Sequence, residues 1–135
     1  MADHVAIFQL FSDYGWPMDS REFSVLEGVF TDDAEFTVSI AGGDTYGPYV
    51  GRKTILDFVS ATVGAQNDQR RHVITNIRIG PESESDAKAT ATLTLIVVAD
   101  GVLTVKASGL YETQVVHDRN AWRFSKMNLT LDVPF

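Results

Sequence analysis

AKATATLTLIVVADGVLTVKASGLYETQVV, residues 87–116, decides the fold. Two runs rich in β-branched residues flank Asp100-Gly101, a dipeptide suited to the positive-φ positions of a tight hairpin turn. The pattern predicts two long antiparallel strands, 87–99 and 102–116. Working outward, RHVITNIRIG (71–80) and AWRFSKMNLTLDV (121–133) carry the same strand signal. PESESD (81–86) reads as a polar loop and His117-Asp118-Arg119-Asn120 as a turn.

Before residue 70 the period is helical. Val5, Phe8, Leu10 or Phe11, and Tyr14 predict an amphipathic helix over 3–14. Gly15-Trp16-Pro17 should end it, because Pro17 lacks an amide donor and disfavours helix at Trp16. Phe23, Leu26, Val29 and Phe30 predict a second helix over 21–30, stopped by Thr31-Asp32-Asp33, with a short strand AEFTVSI (34–40) after it. Residues 41–51, with four glycines and a proline, read as a loop at a pocket mouth. Ile55, Leu56, Phe58 and Val59 predict a third helix over 52–63. Helices first and meandering strands last predict one α+β domain over residues 1–135. Its three N-terminal helices should pack on one face of a curved, mainly antiparallel sheet and enclose a pocket, the concave setting small molecules prefer.

Composition narrows the function. Eighteen acidic against eleven basic residues, a net charge of −7, argue against nucleic acid and anionic membranes as partners. No cysteine is present, which excludes disulfides and thiolate chemistry. The polar interruptions in MADHVAIFQLF fit neither a signal peptide nor a membrane span, so a cytoplasmic protein is expected.

Asp19 has two readings. Asp19-Ser20-Arg21-Glu22 approaches a capping box for the second helix. Alternatively, Asp19 is the carboxylate of an acid–base site. His72 is the histidine inside a predicted strand, with Ile74 and Asn76 expected on its face. It is either a satisfied structural residue or a general base oriented by a carboxylate. Tyr14 either packs in the core or donates to a developing oxyanion. Asn76 is a candidate for positioning a substrate oxygen, and Trp16 for lining the pocket. Lys106, Arg123, His4 and His117 read as solvated. Three scattered histidines form no metal-ligand spacing, and no phosphate or dinucleotide fingerprint occurs, so no metal or cofactor is expected.

The order Tyr14, Asp19, VFTDDAEFTV (29–38), YVGRKTILDF (49–58), RRHVITNIRI (70–79) and GLYETQVVHDRNAWRFSKMN (109–128) resembles the SnoaL-like branch of the nuclear transport factor 2-like superfamily. The sequence is most similar to its group of scytalone dehydratase, bile-acid dehydratase and hexachlorocyclohexane dehydrochlorinase. The resemblance implies a cone-shaped α+β barrel and a cofactor-free Asp–His dyad catalysing β-elimination. It assigns the dyad to Asp19, thirteen residues before Asp32, and to His72, which opens a His-x-x-x-Asn motif ending at Asn76. Two departures stand out. Val38 occupies the position of the base aspartate of the superfamily's ketosteroid isomerases, and Met127 that of an arginine in the dehydrochlorinase.

The expected activity is a dehydratase-type lyase acting on a hydrophobic oxygenated small molecule, such as a polyketide, terpenoid or steroid. Asp19, His72 and Tyr14 are its catalytic residues, and Asn76 and Trp16 bind substrate. A cyclase or isomerase using the same dyad, and a non-catalytic binding module, are the alternatives. An apolar outer sheet face predicts a homo-oligomer, dimer or trimer.

Overall fold

The computed structural model describes residues 1–134. Helix α1 (His4–Ser20) is followed by a 3₁₀ turn (Phe23–Gly28), strands β1 (Phe30–Ile40) and β2 (Thr45–Val50), and helix α2 (Arg52–Gly64). Strands β3 (Gln69–Glu82), β4 (Asp86–Ala99), β5 (Val102–Asp118) and β6 (Ala121–Leu131) complete the chain. The six strands form one sheet in the order β2-β1-β6-β5-β4-β3. All neighbours are antiparallel except β1 and β6, which are parallel. The sheet is curved and unclosed, and the three helices complete the expected α+β cone.

Alternation builds the inner wall. On β4, Ala87, Ala89, Ala91, Leu93, Leu95 and Val97 are buried, and Tyr111, Thr113 and Val115 continue that face on β5. Asp100-Gly101 joins these strands as expected, with positive φ at both residues. Register shifts between Leu95 and Ile96 and between Gln114 and Val115 supply local bends of the kind that curve a sheet.

The first half departs from the sequence reading in three places. Helix α1, capped by the Asp3 carboxylate at the Ala6 amide, does not stop at Gly-Trp-Pro. Pro17 sits within its last turn, where it forfeits one hydrogen bond while burying its ring, and the helix ends only at Arg21, in the left-handed region with φ 62°. Asp19 therefore lies inside α1 and is not the cap of a following helix. The predicted second helix shrinks to the 3₁₀ turn, because Phe30-Thr31-Asp32-Asp33 already belong to β1. Residues 41–51 are not all loop: β2 folds back on β1, with Gly47 (φ 97°) at the irregularity opposite Phe36–Val38. A Cβ at Gly47 would stand 2.7 Å from the Phe36 carbonyl oxygen. No helix among the described residues is long and apolar enough to cross a membrane.

Candidate active site

Asp19 and His72 meet where the C-terminal end of α1 crosses β3. Asp19 Oδ1 lies 2.6 Å from His72 Nδ1, and both carboxylate oxygens accept the His72 backbone amide at 3.0 Å. Both side chains are sheltered, at 8% exposure for His72 and 13% for Asp19. An ionised carboxylate here fixes the ring proton on Nδ1, leaving Nε2 as the basic nitrogen of the neutral ring. Gly15 lies at the crossing: a Cβ there would come within 3.2 Å of Ile74 Cδ1, the mobile end of that side chain, and in ordinary contact, 3.7 Å, with His72 Cβ.

The site has a cost that helps to interpret it. A carboxylate in the last turn of a helix faces the negative end of the macrodipole. That turn contains no basic residue. Asp19 is thus poorly placed for helix stability and well placed for His72.

His72 lines a cavity of about 390 Å³ between the helices and the inner sheet face. Its walls are mostly apolar, including Met18, Phe36, Phe58, Leu93, Leu95 and Leu129. Two phenols reach it from the core. Tyr14, on α1, and Tyr111, on β5, pack edge to face with ring centroids 5.6 Å apart. Their hydroxyls are 3.5 Å apart, with Tyr111 donating to Tyr14. Burial pushes the Tyr14 phenol up to about 12, with the Asp19 charge adding to the rise and the Tyr111 hydrogen bond opposing it. Tyr111 is raised well above the usual phenol value, again chiefly by burial. Both therefore stay protonated as hydrogen-bond donors at neutral pH.

The structure brings Asp19, His72 and Tyr14 to one region and leaves Asn76 and Trp16 outside the large cavity. Asn76 does not share the His72 face. A register shift between Thr75 and Arg78 interrupts the alternation, placing Asn76 at φ 54°, exposed, with its amide 3.4 Å from Thr92 Oγ1. Trp16 is 71% exposed and borders a second recess, of about 200 Å³ between α1 and β3, whose lining it shares with Asp19 and His72. Tyr111, Arg70 and Gln66 also line the main cavity and were missed from the sequence. Strand alternation groups Tyr111 with Ala107 and Arg70 with His72, but nothing in the sequence says which face is inward. Arg123 is not a free solvated charge, since its Nη1 donates to the Gly28 carbonyl at 2.5 Å and steadies the 3₁₀ turn. His4 likewise pairs with Glu82 at 2.7 Å. Among the described residues, no three His, Asp or Glu side chains are grouped to hold a metal.

The SnoaL-like domain family matches residues 1–128. The chain belongs to this family. Hexachlorocyclohexane dehydrochlorinase 1 of Sphingobium indicum is 25% identical over 129 residues, covering 95% of this chain and 80% of the relative. Among solved structures, an NTF2-like protein with a cystatin-like fold from Novosphingobium aromaticivorans superposes with a TM-score of 0.81 at 20% identity. That match covers 96% of this chain and 81% of the other. A scytalone dehydratase candidate from the same organism gives a TM-score of 0.77 at 22% identity, covering 96% and 84%. These structural likenesses establish the fold, and the chemistry has to come from the site.

Proposed function

We propose that this SnoaL-like protein is a cofactor-independent lyase that performs β-elimination on a hydrophobic, oxygenated small molecule. The observation that carries the reading is the 2.6 Å contact between Asp19 and His72 at the wall of an apolar cavity. In this mechanism His72 Nε2 removes a proton from the carbon next to a carbonyl, and Asp19 stabilises the imidazolium that forms. Tyr14, supported by Tyr111, donates to the carbonyl oxygen as negative charge develops there. The enolate then expels the β-hydroxyl, which takes the proton held on His72 and leaves as water. One C–H and one C–O bond break, one C=C bond forms, and the base returns to its starting state.

A dehydrochlorinase and a dehydratase candidate among the similar proteins support a lyase-type activity. Met127, fully buried, stands where the resemblance places a halide-assisting arginine, so that position offers no cation to a leaving chloride.

The test is turnover on a panel of bicyclic β-hydroxy ketones, followed by the rise of enone absorbance. His72→Ala is expected to lower kcat by about 10²–10⁴, the usual worth of a general base. Its circular dichroism spectrum should stay that of the parent. Near-normal turnover by the folded variant, on a substrate the parent converts, would show that the dyad is not the catalyst.

A further inference from the structure

The dyad joins two segments that are each weak on their own. Asp19 sits in the last turn of α1, and final turns fray because their carbonyls lack partners within the helix. β3 is an edge strand of the sheet, so the His72 amide that points to Asp19 has no second strand to hold it. A contact between two such ends opens readily unless other groups tie them together.

Two side chains make that tie, from opposite directions. The Arg21 guanidinium reaches across to the lead-in of β3, where Nη2 donates to the Gln66 carbonyl at 2.6 Å and the Asp68 carbonyl at 2.8 Å. Gln69 reaches back: its Nε2 donates to the Asp19 carbonyl at 3.3 Å and to the Arg70 carbonyl at 2.9 Å. The pair brackets the 2.6 Å contact between Asp19 and His72. The receiving turn is itself fixed. The Gln66 amide donates to the Val63 carbonyl at 3.1 Å, which continues α2. The Asp68 carboxylate grips Arg70, on the way to His72, at 2.9 and 3.3 Å.

The backbone at Arg21 shows what the guanidinium is for. Arg21 closes α1 in the left-handed region, φ 62°, and the Glu22 amide behind it bonds back to the Pro17 carbonyl at 3.0 Å. That termination prefers glycine, because a side chain is strained there. Arginine therefore gives up stability at the helix end and gains a bridge to β3. Asp19 follows the same logic: each is unfavourable for the helix and favourable for the crossing.

We propose that Arg21 is a positioning residue, which clasps the carbonyls of Gln66 and Asp68 and so keeps Asp19 on His72, with Gln69 closing the other side. The clasp stands on geometry; its value for catalysis rests on the dyad serving the proposed elimination. Both Arg21 bonds come from one nitrogen. A lysine ammonium, with three donors on one atom, can replace them, whereas glycine cannot.

Arg21→Gly and Arg21→Lys separate this role from plain stability. Glycine suits the helix end, so Arg21→Gly is expected to fold and to keep the hydrogen-exchange protection of the β4 and β5 amides. Exchange of the His72 amide should quicken about three- to tenfold in that variant, the worth of one net hydrogen bond. The proton signal of His72 Nδ1 should broaden with it. Arg21→Lys should return both close to the parent. An unchanged His72 amide in Arg21→Gly would overturn the clasp, and so would equal quickening of the β4 and β5 amides, the mark of general destabilisation. A lysine variant indistinguishable from the glycine one would overturn the assignment of a cation to the two carbonyls. On a substrate the parent converts, Arg21→Gly should lower kcat at least about threefold, because a base displaced by about 1 Å reacts far more slowly. An unchanged kcat would overturn the positioning role. Hydrogen exchange needs no turnover, so failure of the His72→Ala test would sink the elimination and leave the clasp readable.

Discussion

Asp19→Ala is expected to cost the folded chain about 2–5 kcal/mol, and Asp19→Asn about half of that. Two donors of one residue end on this carboxylate, the backbone amide and Nδ1 of His72. Hydrogen bonds to an ionised acceptor contribute roughly 1.5–3 kcal/mol each. Solvent screening takes little from them, because the two side chains are 13% and 8% exposed. Against this, removing a negative charge from the last turn of α1 returns about 0.3–1 kcal/mol of dipole interaction. Asparagine keeps the shape and one accepting oxygen for the backbone amide. Its amide nitrogen can only donate to Nδ1, which forces the ring proton to Nε2 and leaves no basic nitrogen for catalysis. Urea unfolding at neutral pH measures the first effect, and the ¹⁵N shifts of the His72 ring nitrogens measure the second. Asp19→Ala within about 0.5 kcal/mol of the parent, or an unchanged His72 tautomer in Asp19→Asn, would refute the reasoning.

Two further outcomes follow from the buried phenols and the helix crossing. Tyr14, raised from an ordinary value of 10.0 to about 12, is neutral in the folded state at pH values where the unfolded chain ionises. Its contribution to stability is complete below pH 10 and is lost as pH rises toward 12. Alkaline titration of tyrosine absorbance should show a late phase coincident with unfolding, and its absence would contradict the burial of the Tyr14–Tyr111 pair. Gly15→Ala should change stability by less than about 1 kcal/mol, since the gain in helix propensity offsets the crowding of a mobile Ile74 methyl. Gly15→Leu should cost roughly 1–3 kcal/mol by prising α1 from β3, measured by thermal unfolding, and an unaltered midpoint would show that the close approach is not tight.

Long alternating runs and one hairpin dipeptide were enough to read β3 through β6 from the sequence, because strand register and turn chemistry are local. α2 was equally plain, as its apolar stripe is unbroken. The first half was less legible. Pro17 signals a break in any isolated helix, yet burial against the sheet holds the last turn of α1 together around it. Phe30-Thr31-Asp32-Asp33 looks like a helix end, but pairing of β1 with distant β6 draws it into the sheet.

The site divides along the same line. Residue types and their order, from Tyr14 and Asp19 to His72, marked the candidates in the sequence alone. By local spacing Asp19 was a capping residue; only the crossing of α1 over β3 turns it onto His72, fifty-three positions away. Asn76 shows the converse, since a bulge undetectable in the local pattern removes it from the face that alternation assigned. Tyr111, Arg70 and Gln66 needed the closed cone, because a strand's period says which residues share a face but not which face is inside. The sequence by itself determined the strands, the second helix and the chemical types available. The tertiary structure decided which of them meet, because hydrogen bonds and burial between distant segments outweigh local preference wherever the chain is packed.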